Sequence, residues 1–570
     1  MKRLAVLFLS GVLAACGSGA EVDFARSLAV KAPADLVLRG GKIITVDRHF
    51  SIHQALAISD GRFLAVGYDR DMRPLIGPRT QVVELAGRTV IPGLIDSHIH
   101  GTVGCSGWDT ELHWEFTRSL SDGLRQIGAA AKTKPAGSWI VVGGGWVPTQ
   151  FAERRFPSRA ELDVLAPNHP VYIQYLREGA LLNSAALVAL GVTSATPDPA
   201  GGKFVRNPNT GELTGWLQGA PAWEYAYHRI PRPTLDKVRQ SLRNCFRELN
   251  RLGVTSISDL HTDRIDFAHR RVLADMARTG DLSLRINFYV APNEAGDEIE
   301  QLERALEAIK TLHQNDYFRF AGFTQSRIRG DGSSDAKNAG LGAPARERFH
   351  RLARFAADRG YNLHLQVQQD ETARQLLDLL EPIQSVTPLP RRRIIFAGLD
   401  DATAETIGRI GKLGGAIAVQ NRTALAGERN VEMWGWEKAG NAPPLRAMIE
   451  AAVPLGAGSD AFRAGSYSPM LTLWWLVTRK TAAVSALRDP TQNMTREEAL
   501  RIHTIGSSWL TFEEGRKGSI EVGKHADLAV LNGDYLTVPE ERIPALESLL
   551  TIVGGRVVYA AGPFAQLRRN

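Results

Sequence analysis

The sequence predicts an α/β fold: a (β/α)8 TIM-like barrel joined to a small β-sandwich assembled from both ends of the chain. Three observations carry this reading. Short apolar runs alternate with amphipathic helical stretches through most of the chain, the pattern of a parallel sheet with helical crossovers. Strand-rich segments flank that region on both sides, and neither has enough strands to bury a face alone. At 570 residues the chain has room for a barrel and a second domain.

In chain order, the first element is a targeting segment. Lys2 and Arg3 precede an apolar stretch from Leu4 to Leu13, which is too short to span a bilayer. Leu13-Ala14-Ala15-Cys16 then matches a bacterial lipobox. The expectation is an exported lipoprotein, with residues 1–16 as signal peptide and lipobox, Cys16 lipidated, and residues 17–34 as a tether. Gly17 after the cysteine points to an outer-membrane address facing the periplasm. Residues 35–92 form the first half of the sandwich, with Gly40-Gly41 and Asp60-Gly61 as turns between strands. Residues 93–514 form the barrel. There, Leu363 to Val367 precedes a helix at Asp370–Leu380, and Ile394 to Ala397 precedes one at Ala402–Leu413. A stretch at about 150–225, rich in Pro, Gly and aromatics, interrupts the rhythm and reads as an insertion over the barrel mouth. Residues 515–565 supply the second half of the sandwich.

Lys plus Arg exceeds Asp plus Glu by seven, with no basic run interleaved with aromatics, so no nucleic-acid partner is expected. The expected partners are a small-molecule substrate and, through the lipid anchor, a membrane. Beyond Cys16 only Cys105 and Cys245 remain. Two cysteines in a chain of this size do not make a disulfide framework, and they read as buried free thiols.

The strongest chemical motif is Pro92-Gly93-Leu94-Ile95-Asp96-Ser97-His98-Ile99-His100. Alternate residues of a strand share a face, so His98 and His100 point the same way and can grip one metal ion at the strand's C-terminal end. The second motif is Gly456-Ala457-Gly458-Ser459-Asp460, a candidate ligand and proton acceptor at the end of a late strand.

These two motifs resemble the first and eighth barrel strands of the amidohydrolase superfamily. Gly143-Gly144-Gly145-Trp146, Asn168-His169-Pro170-Val171, Gly330-Asp331-Gly332-Ser333 and Gly523-Lys524-His525-Ala526-Asp527-Leu528 are similar to the branch containing N-substituted formamide deformylases. The resemblance covers residues 35–565. It implies hydrolysis of a non-peptide C–N bond by metal-activated water, with Gln366, Asp331 and Trp146 as substrate-binding residues. It also shows departures. A family lysine, carboxylated to bridge two metals, is replaced by Arg327, whose guanidinium stays cationic. The fifth-strand histidine is Gln366, and the sixth-strand histidine place falls on Phe396. His364 lies two residues before Gln366, about 6.6 Å deeper along the strand, and reads as an interior histidine rather than a ligand. A cation near Arg327 would be repelled by several kcal/mol, with about 4 kcal/mol per unit charge at 4 Å.

The expectation is therefore one divalent metal, zinc, held by His98, His100 and Asp460, with Asp460 and Arg327 as catalytic groups. Two alternatives stay open. One is a metal-free lyase, hydratase or isomerase using the same barrel mouth. The other is a binding protein that has lost turnover.

Overall fold

The structure is a computed structural model that describes residues 33–260, 267–292, 296–325, 340–387, 392–483 and 490–567. Cys16, Arg327 and Asp331 lie outside the described residues.

Eight parallel strands form the barrel, in chain order: β1 (Leu94–Ile99), β2 (Val254–Asp259), β3 (Arg285–Val290), β4 (Phe318–Thr324), β5 (Asn362–Val367), β6 (Ile394–Gly398), β7 (Ala416–Gln420) and β8 (Leu455–Gly458). Each pairs with the next, and the end of β8 returns to β1, where the Asp460 N–H donates to His98 O at 2.8 Å. Strand alternation sets the layers. Leu363, Leu365 and Val367 of β5 pack outward into the apolar layer under the helices, which leaves His364 and Gln366 on the inner face. The covering helices are amphipathic. Helix α2 (Leu235–Arg251) buries Val238, Leu242, Cys245, Phe246 and Leu249, one stripe at helical spacing.

A short helix, α1 (Gly101–Ser106), follows His100 directly and packs against α2. That contact brings Cys105 and Cys245 into a disulfide, with Cα atoms 5.3 Å apart. The expectation of two free thiols is thus overturned. The residues are 140 positions apart in the chain, and only the packing of α1 on α2 makes them neighbours.

The two chain ends share one sheet. Thr89–Pro92 runs antiparallel to Leu528–Leu531, with Val90 opposite Val530 and Pro92 opposite Leu528. This six-stranded sheet packs on a four-stranded sheet of Leu36–Arg39, Ala55–Ser59, Arg62–Gly67 and Gln81–Glu84, through Leu38, Ile43, Leu56, Val90, Leu528 and Ile552. The final hairpin turns at Gly554 and Gly555, with φ of 55° and 74°, a left-handed conformation that glycine adopts without a Cβ clash. Barrel and sandwich are locked by Arg285 at the start of β3. Its Nε and Nη2 donate to Asp527 at 2.7 and 3.0 Å, and both side chains are buried.

The insertion is a domain of its own kind, a six-stranded sheet from Glu111–Leu112 through Leu213–Gln218. It begins well before residue 150. Leu120–Thr133 and Ile140–Val142 have the rhythm of a barrel unit, yet Ile140–Val142 pairs with Val171–Tyr175 inside the insertion.

Candidate metal centre

At the C-terminal mouth of the barrel, His98 and His100 from the end of β1 meet Asp460 from the end of β8. All three are buried, and one ligand atom from each lies within 4.8 Å of the others. His100 Nε2 is 3.1 Å from Asp460 Oδ1, and His98 Nε2 is 3.6 Å from the same oxygen. Two ligand atoms on one tetrahedral zinc lie about 3.3 Å apart, given zinc–nitrogen and zinc–oxygen distances near 2 Å. The observed separations bracket that value.

The second nitrogens of the imidazoles sharpen the fit. His100 Nδ1 lies 3.2 Å from the Leu260 carbonyl, which can only accept, so Nδ1 carries the proton. The other ring nitrogen, Nε2, then faces the Asp460 carboxylate. In a buried site this close pair needs a cation between its two atoms, which a proton or a metal ion would supply. His98 Nδ1 is 2.9 Å from His364 Nε2, and among the described residues His98 Nε2 has no hydrogen-bond partner. The donor set therefore fits a single divalent cation. The fifth-strand Gln366 reaches the same cluster, its Nε2 donating to Asp460 Oδ2 at 3.1 Å.

Burial opposes ionisation of Asp460, but His100 and His98 beside it hold the carboxyl far below the usual range. Burial, with the charges of His100 and Arg177, pushes His98 toward its neutral form, the form that binds metal. Burial also pushes His364 well down, so it too is neutral.

The backbone is shaped around the cluster. A Cβ on Gly458 would lie 2.7 Å from His98 N, so only glycine lets β8 approach β1 this closely. Asp460 itself has φ of 53°, a left-handed conformation costing about 1–3 kcal/mol in a non-glycine residue. The Asp460 N–H bond to His98 O and the His100 N–H bond to Ala461 O, both 2.8 Å, hold it there. Asp96, absent from the candidate residues, accepts from His98 N and Ser459 N at 3.1 Å each and staples the two ligand-bearing strands. Its place two residues before His98, on the same inward face, was the available signal.

Other expected residues fall elsewhere. Trp146 is buried in the core of the insertion, with its ring 5.1 Å from Trp114 and 5.4 Å from Phe151, so it supports the insertion and lines no part of the cavity beside the cluster. Phe396 is in the apolar layer outside the barrel, while Ala397 stands opposite Gln366 in the register. The sixth strand thus offers an apolar methyl at the site, displaced by one residue from the expected position. His364 is inside the barrel, as its spacing implied, and its Nε2 lies 2.9 Å from His98 Nδ1, a contact the sequence reading did not foresee.

A cavity of about 560 Å³, including its open mouth, adjoins His100. Val103, Trp223 and Phe462 give it apolar walls, and Arg177, Glu224 and Arg463 give it charge.

The profile of the Amidohydrolase family matches residues 81–559. The chain belongs to that family. An N-substituted formamide deformylase from Arthrobacter pascens is 26% identical over 92% of this chain and 98% of its own length. A putative amidohydrolase of Bacillus subtilis is 25% identical over 92% of this chain and 99% of its own. A solved structure of a metal-dependent hydrolase from Pyrococcus horikoshii OT3 superposes with a TM-score of 0.65, at 21% identity over 89% of this chain and 99% of that one, and shows the same fold. As a member of the amidohydrolase family the chain is a hydrolase.

Proposed function

We propose that the protein is a one-metal hydrolase that cleaves a non-peptide C–N bond of a small amide, with a single zinc ion held by His98, His100 and Asp460. The observation that carries this is the convergence of His98, His100 and Asp460 at the barrel mouth, with His100 Nε2 3.1 Å from Asp460 Oδ1 and its other nitrogen committed to the Leu260 carbonyl. When bound, a divalent cation there supplies a Lewis acid and makes water a nucleophile near neutral pH. The chain's own residues do the rest. Asp460 takes the proton that the attacking water gives up and later returns it to the departing amine. Gln366 fixes the Asp460 carboxylate through Oδ2. A hydrogen bond donated by His98 Nδ1 to His364 Nε2, 2.9 Å away, would leave His98 Nε2 bare toward the cluster. The deformylase similarity favours formamides and related small amides as first substrates to try.

A second ligand set is missing from the inner faces described: Gln366 on β5 and Ala397 on β6 are poor or non-ligating groups. This supports one metal rather than two. The experiment is a turnover assay on a small-amide panel with chelated and zinc-reloaded protein. Activity should vanish with zinc and return with it, and His98→Ala should lose zinc and activity together. Activity that persists without zinc would favour the metal-free reading, and then Asp460→Asn becomes the decisive variant.

We further propose export and lipid anchoring at Cys16. The lipobox supports it, and so does a buried disulfide, a bond that persists in oxidising compartments.

A further inference from the structure

We propose that Tyr289 is a positioning residue of the metal centre: its hydroxyl ends a buried hydrogen-bond relay that runs through His364 to His98. The inference rests on the one-metal reading above and adds to it a group that touches no ligand atom itself.

Strand alternation brings the three side chains together inside the barrel. Ile286, Phe288 and Val290 of β3 pack outward into the apolar layer, which leaves Tyr289 on the inner face. His364 stands on the inner face of β5, and His98 at the end of β1. Their rings form a row. The centroids of His98 and His364 are 4.9 Å apart, and His364 meets Tyr289 edge to face at 5.2 Å, with the planes at 81°. All three residues are buried.

The row has one bond and one gap. His98 Nδ1 lies 2.9 Å from His364 Nε2, and one of the two nitrogens donates to the other. His364 Nδ1 and the Tyr289 hydroxyl are both buried, and among the described residues neither has a hydrogen-bond partner. Two unmet polar groups in a dry interior are costly. The polar groups deeper in the barrel are committed to one another. Asn287 donates to Glu513 at 2.6 Å and accepts from Arg319 at 3.1 Å, while Lys517 reaches Glu513 at 2.7 Å and Ser256 at 2.6 Å. That leaves the hydroxyl and the ring nitrogen to satisfy each other, and one water between them would close the gap.

A hydroxyl suits this place because it both donates and accepts, so it can pair with His364 Nδ1 in either tautomer. Burial pushes Tyr289 upward, so the hydroxyl keeps its proton. Phenylalanine would fill nearly the same volume, so packing alone does not call for tyrosine. Zinc on His98 Nε2 needs the His98 proton on Nδ1, where it points at His364 Nε2. His364 then carries its own proton on Nδ1, and the Tyr289 side of the gap accepts it. A metal-bound imidazole whose second N–H is held in this way is fixed in orientation and is the more basic ligand.

The test removes only the hydroxyl. Tyr289→Phe should weaken zinc binding about three- to tenfold in chelator competition, the net worth of one neutral hydrogen bond. In a His364→Ala background the same change should cost nothing further, since the relay is already cut. Tyr535→Phe is the control. That tyrosine is equally buried, its hydroxyl donates to the Arg496 carbonyl at 3.2 Å, and its loss should leave zinc affinity at the parent value. A crystal structure of the metal-free protein should show the Tyr289 hydroxyl joined to His364 Nδ1, directly or through one water. Unchanged zinc affinity in Tyr289→Phe, an equal loss in the His364→Ala background, or no bond and no bridging water between the two atoms would overturn the proposal. A parent protein that shows the joined pair and binds no zinc would leave the relay to His98 standing and remove the one-metal reading.

Discussion

Replacing both bridged cysteines, Cys105→Ala with Cys245→Ala, removes a tether that closes 140 residues of chain. In the chain-entropy account, a loop of that length restrains the unfolded state by about 5 kcal/mol at 25 °C. Both residues are fully buried at the junction of α1 and α2, so the loss is not offset by new solvent contacts. The expected outcome is a large fall in the urea midpoint of the double variant with a steeper slope, since the freed unfolded chain exposes more surface, and a similar fall when the parent is unfolded in the presence of a reductant. Alkylation of the urea-unfolded parent without reductant should leave both thiols unlabelled, and after reduction it should label both. The bridge also bears on the site: Cys105 sits on the helix whose first residue follows His100. Zinc should therefore dissociate faster from the double variant. An unchanged midpoint, or two free thiols in the unreduced protein, would refute the reasoning.

Three further outcomes follow from particular contacts. Asp527→Ala strands the buried Arg285 between barrel and sandwich and should cost about 3–5 kcal/mol in urea unfolding. Burial opposes ionisation of Asp527, yet Arg285 holds its carboxyl below the usual range. Its contribution is present above the unfolded carboxylate pKa of about 3.9 and is lost as pH falls through the lower folded value, so the variant should show a shallower acid limb; an identical limb would count against the pair. His364→Ala should weaken zinc binding by about ten- to a hundredfold in chelator competition, and His364→Gln, which keeps an acceptor near the Nε2 position, should recover part of it; equal affinities in all three proteins would reduce His364 to packing. Cys16→Ala should move the protein from the membrane to the soluble fraction or block its processing, and unchanged fractionation and mature mass would end the lipobox reading.

The barrel was legible because strand and helix periods differ, and because β5 spells its two faces as His364 and Gln366 against Leu363, Leu365 and Val367. His98, His100 and Asp460 were legible for the same reason, as an alternate pair and a glycine-led strand end. Three things were not. The sixth strand was read one residue out of step, which exchanges Phe396 for Ala397, since a slip of one residue turns every side chain to the other face. Trp146 looked like a pocket aromatic because its glycine-rich setting resembles a loop, while its burial against Trp114 and Phe151 depends on a sheet assembled from distant segments. The disulfide left no local trace, since 140 residues separate its ends. The bond from His98 Nδ1 to His364 belongs to the same class: it joins β1 to β5 across the barrel interior, and no spacing along the chain encodes it.

The most direct test of the account is the metal content of the purified protein. Elemental analysis after removal of loosely held ions should give one zinc per chain for the parent and none for His98→Ala or Asp460→Asn. Two equivalents per chain, or one equivalent that survives in both variants, would contradict a single ion held by His98, His100 and Asp460.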